Sequence, residues 1–310
     1  MNLAFISHPS CMEHRMGEHH PECPERLNAI GDRMIACGIE MLLTHYDAPA
    51  ASRAQLEMVH EADYVQHIID TAPSDDSVAW VDGGDTGMNR HTMEAAMHSA
   101  GAVILGVDLV MSDRHHAAFC SVRPPGHHAG RRSGGGFCLF NNVAIGAAHA
   151  LAHHGLERVA IIDFDVHHGN GTEEIFRGDE RVLFCSSFQH PFYPNSGADT
   201  DAPNILNLPL PRLTDGAAFK TAIEQAWLPR LDDFAPELIM ISAGFDGHIE
   251  DDMAHFNLRE ADFGWLTREL HQLALRHAGE RVVSCLEGGY TLSALGRCVS
   301  THLDELIGHV

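Results

Sequence analysis

The sequence predicts an α/β fold, a three-layer sandwich with a central, mostly parallel β-sheet flanked by helices. Three observations predict it. Short β-branched runs alternate with longer helical patterns along the chain. Several of those runs, such as Val159-Ala160-Ile161-Ile162 and Leu238-Ile239-Met240-Ile241, are apolar on both faces, which is what strands covered by helices on each side require. The residues able to do chemistry stand just after strand-like runs, where open parallel sheets hold their ligands.

Taken in order, a strand over 3–7 precedes a helix over 24–37, and a strand over 117–122 precedes a helix over 140–154. A strand over 158–163 then leads to a short helix over 172–177, followed by strands over 182–187 and 205–210. The series closes with a helix over 215–227, a strand over 237–243, a helix over 259–277, a strand over 281–286 and a helix over 292–307. The loops 10–21, 73–90 and 188–203 exceed the usual connection length and are expected to form a rim. No repeat or long linker interrupts the rhythm, so residues 1–310 are expected to form a single domain, with 45% hydrophobic residues to fill its core.

Twenty Lys plus Arg against forty-three Asp plus Glu give a net charge of −23, which argues against a nucleic acid partner and suits a cationic ligand. Acidic surfaces also serve solubility alone. The eight cysteines, at 11, 23, 37, 120, 138, 185, 285 and 298, form no C-x-x-C pair, which fits a reducing compartment and makes a cytoplasmic location the expectation. The first residues lack a basic stretch followed by a long apolar one, and no run of eighteen uncharged apolar residues occurs, so no membrane is expected.

Four runs after strands carry the unusual residues: Arg123 to His128, Asp163 to Gly171, Gly244-Phe245-Asp246 and Glu287-Gly288-Gly289-Tyr290. In extended chain, Asp163, Asp165 and His167 point the same way, so a cation could be met by two of them while the third is held behind. Asp165, His167 and Asp246 together supply the three protein ligands that a catalytic zinc takes while keeping a position for water. The adjacent His127 and His128 offer proton transfer, and a buried Asp163 would orient one of the two rings. Tyr290, on a Gly-Gly turn, could donate its hydroxyl to an oxyanion. Each motif alone has a plainer reading: the acids and Asp246 as helix caps, Tyr290 as a packed turn residue. The chain has neither G-x-S-x-G nor H-E-x-x-H.

Arg123-Pro124-Pro125-Gly126-His127-His128-Ala129, Gly136-Phe137-Cys138-Leu139-Phe140-Asn141-Asn142, the 163–171 run and Ser242-Ala243-Gly244-Phe245-Asp246 resemble the signatures of the zinc-dependent histone deacetylases, within the arginase-deacetylase superfamily. The similarity begins at His20-Pro21-Glu22-Cys23-Pro24-Glu25-Arg26-Leu27, and Asn170 marks the class II and bacterial branch. This resemblance implies an amide hydrolase with one Zn2+ at Asp165, His167 and Asp246. His128 would act as base and then acid, His127 would support it with Asp163 behind, and Tyr290 would stabilise the oxyanion. It implies an acyl-lysine channel walled by Gly136, Phe137 and Tyr193 or its neighbour Phe192, and an internal exit cavity near Arg26. It also implies K+ at one or two sites. The first uses Asp163, Asp165, His167 and Ser186 with backbone oxygens from Ser187; the second uses backbone around Phe176, Asp179 and Val182. Polyamine deacetylases are close relatives, and where a polyamine-selective relative carries a Glu at the entrance, Met253 stands here. The expected partner is an acylated lysine peptide or protein, with an acetylated polyamine as the alternative; a non-catalytic acyl-lysine binding module and a two-manganese ureohydrolase fit the motifs less well. Whether the chain forms a homo-oligomer is left open.

Overall fold

The computed structural model describes residues 3–308; Met1, Asn2, His309 and Val310, at the ends of the expected single domain, lie outside the described residues. The chain begins with β1 (Leu3–Ser7), α1 (Glu25–Cys37), β2 (Leu43–Asp47), α2 (Arg53–Leu56) and α3 (Ala62–Thr71), then the short pair β3 (Ala79–Trp80) and β4 (Gly87–Met88). It continues through α4 (Thr92–Met111), β5 (Ala117–Cys120), α5 (Asn142–His153), β6 (Val159–Asp163), α6 (Asn170–Phe176), β7 (Val182–Gln189) and β8 (Ile205–Leu210). It closes with α7 (Gly216–Phe234), β9 (Leu238–Ala243), α8 (Glu260–His277), β10 (Val282–Leu286) and α9 (Leu292–Ile307).

Eight strands form one sheet in the order β2-β1-β5-β10-β9-β6-β7-β8, every neighbouring pair parallel. The expected three layers follow from the alternation of side chains along each strand. Ala118, Val159, Ile161, Met240 and Val283 face α4 and α5 on one side, while Phe119, Ala160, Ile162, Ile239 and Val282 face α1, α7, α8 and α9 on the other. β6, β9 and β10 are buried along their whole length, as two-sided cover demands.

The elements that differ from the sequence expectation include five: α4, β2, α2, α3 and α7. No helix was expected over α4, although it is the longest in the protein's described residues; with thirteen of its twenty residues buried it lacks a polar stripe that would mark a period. By length and composition alone it could cross a bilayer, yet it packs on the sheet as a core helix. β2 went unread because its Leu-Thr-His-Tyr-Asp sequence is mostly polar, with His45 and Asp47 exposed, as befits a sheet edge. α2 and α3 also lie in a stretch with no expected element. α7 runs past the expected stop at Trp227, through Pro229 to Phe234, with Leu231 buried beyond the proline.

Candidate active site

The four motif runs leave the carboxyl ends of β5, β10, β9 and β6, which are consecutive neighbours at the centre of the sheet. The expected convergence at one edge is therefore present. Register brings Asp163, the last residue of β6, opposite Ser186 on β7 and Ser242 on β9.

Asp165, His167 and Asp246 are all buried, and one donor atom from each lies within 4.8 Å of the others. The Nδ1 of His167 is 3.1 Å from Asp165 Oδ1 and 3.1 Å from Asp246 Oδ2. Such spacing is close to that of ligands held roughly 2.0–2.1 Å from a single zinc. Backbone N–H groups hold the carboxylates in place: His167 and Gly288 donate to Asp165 at 2.9 Å each, and Val166 donates to Asp246 at 3.0 Å. Gly288 must be glycine, because a Cβ there would strike both carboxylates. Burial and the facing Asp165 charge push Asp246 up to about 6. Burial also opposes the charge of Asp165, but the His127 and His167 rings hold it below the usual carboxylate range. Two buried carboxylates thus share one imidazole, a donor set that suits a borderline dication.

His127 and His128 are buried side by side, ring centroids 4.0 Å apart, in opposite environments. The Nδ1 of His127 lies 2.9 Å from Asp163 Oδ2. Burial works against a charge on His127, yet Asp163 and Asp165 overcome it and push its pKa up to about 10. The Nδ1–H of His128 donates to Asn170 Oδ1 at 2.7 Å, so its Nε2 keeps the lone pair. Burial and then the neighbouring His127 and His167 charges depress His128 well below the ordinary imidazole value. One fixed cation beside one neutral base is the division of labour that acid–base sites build.

A cavity of about 240 Å³ opens above these groups, and its lining includes Gly136, Phe137, Phe192, Tyr193, Met253 and Tyr290. Every expected channel residue therefore lines it. Phe137 meets Tyr290 edge-on at 5.9 Å, Phe192 stacks on His167 at 5.6 Å, and Tyr193 meets His128 edge-on at 5.2 Å, so both neighbours build the second wall. Gly136 and Phe137 have φ of 54° and 71°; Gly136 accepts this readily, whereas Phe137 is held in an uncommon conformation at the wall. Arg26 is fully buried and does not line the channel. It donates to the carbonyls of Gly289 at 2.7 Å and Glu287 at 2.5 Å, with its guanidinium 4.9 Å from the Tyr290 ring centroid.

The two expected monovalent sites differ. At the first, Asp163, Asp165, His167, Ser186 and Ser187 are all buried near the ends of β6 and β7, and Ser187 Oγ has no hydrogen-bond partner. The second needs correction. The carbonyls of Phe176, Asp179 and Val182 converge on the side-chain Nδ2 of Asn204, at 2.8, 3.1 and 3.0 Å. An amide donor takes the place where a cation was expected, and Gly178 N–H anchors its Oδ1 at 3.0 Å.

Sequence reading missed the residues that act through backbone. Asp251 Oδ2 accepts the N–H groups of Tyr290 at 2.6 Å and Thr291 at 2.9 Å, while its Oδ1 accepts that of Met253 at 3.1 Å. Glu287 accepts the N–H groups of Gly126 at 2.6 Å and His127 at 3.2 Å, and burial pushes its pKa up to about 7. Asp85 lines the mouth, beside Asp82, and burial with that neighbour raises its pKa to about 6. Of these, Glu287 alone stood in a run that the sequence singled out, Glu287-Gly288-Gly289-Tyr290, and its part in holding the 126–127 backbone was not read.

Residues 20–306 match the histone deacetylase domain family. The chain is 36% identical to "Polyamine deacetylase HDAC10" of Homo sapiens over 99% of its length and 48% of that protein's. It is 34% identical to "Histone deacetylase-like amidohydrolase" of Pseudomonas aeruginosa, covering 98% of this chain and 86% of that one. It spans only 20% of the length of "Type-2 histone deacetylase 2" of Dictyostelium discoideum, which it matches at 36% identity over 97% of its own. Among solved structures, the "HDA15 HD domain" superposes with a TM-score of 0.91 at 30% identity, over 99% of this chain and 90% of that one.

Proposed function

The chain belongs to the histone deacetylase family, and from that premise we propose that it is a zinc-dependent amidohydrolase that removes acetyl or other acyl groups from lysine side chains of proteins or peptides. The observation that carries this reading is the cavity whose aromatic walls lead down to His127, His128, His167 and Tyr290, with Asp165 and Asp246 buried behind. Asp165, His167 and Asp246 would hold the zinc, which when bound supplies Lewis acidity to the scissile carbonyl and acidifies the attacking water.

The chain's own groups supply the rest. His128 Nε2, kept free by the hydrogen bond from Nδ1 to Asn170, takes the proton of the water as its oxygen bonds to the acyl carbon. The same nitrogen returns that proton to the amine as the C–N bond breaks. His127 keeps its charge against Asp163, and the Tyr290 hydroxyl donates to the acyl oxygen as negative charge develops there. Phe137 and Phe192 would flank the aliphatic lysine stem and exclude water. Arg26 fixes the Glu287–Tyr290 turn and would stand next to the leaving acyl group. A potassium ion at Asp163, Asp165, His167, Ser186 and Ser187 completes the reading.

A second reading, an acetylpolyamine amidohydrolase with the same chemistry, is favoured by Asp85 at the mouth and by the net charge of −23. Met253, apolar where a carboxylate would meet a second amine, counts against it. The test is kcat/KM of zinc-loaded protein on an acetyl-lysine peptide, a longer acyl-lysine peptide and acetylspermidine, with Tyr290→Phe as control. Dominant peptide turnover, lost in the control, is the expected result. Dominant polyamine turnover would transfer the assignment to the second reading, and no turnover of any substrate would sink both.

A further inference from the structure

We propose that Asp108, His149 and His154 form a second divalent-cation site, at the edge of the sheet opposite the active site, for a borderline ion such as zinc or nickel. Both imidazoles aim Nε2 at the same oxygen: His149 and His154 each lie 2.8 Å from Asp108 Oδ1. The three donor atoms fall within 4.8 Å of one another. Two neutral nitrogens and one carboxylate oxygen, with the carboxylate half exposed, are a donor set for such an ion, leaving room for water to complete its coordination.

The fold prepares these groups in two ways. The His149 side chain is 9% exposed, so packing between α4 and α5 sets its ring before any ion arrives. Preset ligands lose little entropy on binding. Second, α4 leads into β5 and α5 leads into β6, and those strands are parallel members of one sheet, so both helices end at its amino edge. Asp108 and His149 lie in the last turns of their helices and His154 caps the second. Two helix carboxyl termini therefore bring their negative dipole ends to one place, which favours a cation there. The ion would clamp α4 to α5 across their shared end. Without an ion, the same contacts make a hydrogen-bonded clamp in which both Nε2 atoms carry protons.

Metal-free protein titrated with zinc chloride, freed of loose metal by gel filtration and assayed for zinc by mass spectrometry, separates the two. The wild-type chain should retain two ions. His154→Ala and, independently, the nearly isosteric Asp108→Asn should each retain one while keeping turnover on the best substrate; Asp246→Ala should also retain one but lose turnover. The second equivalent should raise the thermal midpoint of wild type and the first that of Asp246→Ala, while a second equivalent should leave that of His154→Ala unchanged. A wild-type chain that keeps a single ion, or a His154→Ala chain that keeps both, would overturn the proposal and leave the hydrogen-bonded clamp. This outcome is independent of whether the chain deacylates lysine or polyamine.

Discussion

Two of the places where the sequence raised the expectation of a cation, one beyond the carboxyl end of β6 and one between α6 and the start of β7, are treated by the structure in opposite ways. At Asp165, His167 and Asp246, two buried carboxylates face one imidazole. At Phe176, Asp179 and Val182, three carbonyls are closed by the Asn204 amide. Carbonyl dipoles can be satisfied by a neutral N–H; adjacent buried carboxylates cannot, because their mutual repulsion remains. The kind of oxygen, more than the number of oxygens, decides which place calls for an ion.

That contrast is sharpest in Asp246→Ala, which should lose bound metal and turnover together by elemental analysis and assay; turnover without metal would end the metal reading. Tyr290→Phe should keep its metal while kcat falls roughly 10²-fold or more, the usual cost of one oxyanion donor. Asp251→Asn, which puts an amide where the Tyr290 and Thr291 N–H groups now meet a carboxylate, should lower kcat by about 10-fold with metal content unchanged. Asn204→Ala should leave activity per bound zinc untouched but cost about 1–3 kcal/mol of stability in denaturant unfolding, as the buried amide's hydrogen bonds to these carbonyls are lost. Loss of zinc in that variant would mean that the two places are not separate after all.

The smallest effect concerns histidines away from both places. His60 donates from Nδ1 to the Gly130 carbonyl at 2.7 Å and accepts the Asn141 N–H at Nε2. His302 is enclosed by Thr267 and Ser284, whose hydroxyls lie 2.7 and 2.9 Å from its ring nitrogens. Burial lowers their pKa values to about 4 and about 3. Between those values and the ordinary imidazole value near ~6.5, the unfolded chain binds protons that the folded one refuses. Stability should therefore fall as pH drops through that window, and a His302→Asn variant should show a shallower fall in its thermal midpoint than wild type.

Much of this was legible in the sequence, and the reason is chemical. The inner strands could be read because two-sided burial requires unbroken apolar runs, and the donor set because metal and proton chemistry requires Asp, His and Tyr side chains in person. α4 escaped because a helix buried on nearly every side shows no period, and β2 because an edge strand carries polar residues. Asp251, Glu287 and Asn204 escaped for a different reason. They work on backbone N–H and C=O groups, which every residue possesses, so nothing in the partner's identity announces the contact.

The strand order has a consequence in time. β10 is the last strand among the described residues, yet it lies between β5 and β9, in the middle of the sheet. Until a ribosome has released residues 282–286, β5 and β9 each present an open inner edge of the sort that recruits foreign strands. Closure of the sheet's centre thus waits for residues 282–286 and rests on contacts distant in sequence, which makes folding slow. A nascent chain stopped just short of Val282 would already contain Asp165, His167 and Asp246 without the strand that holds their neighbourhood together.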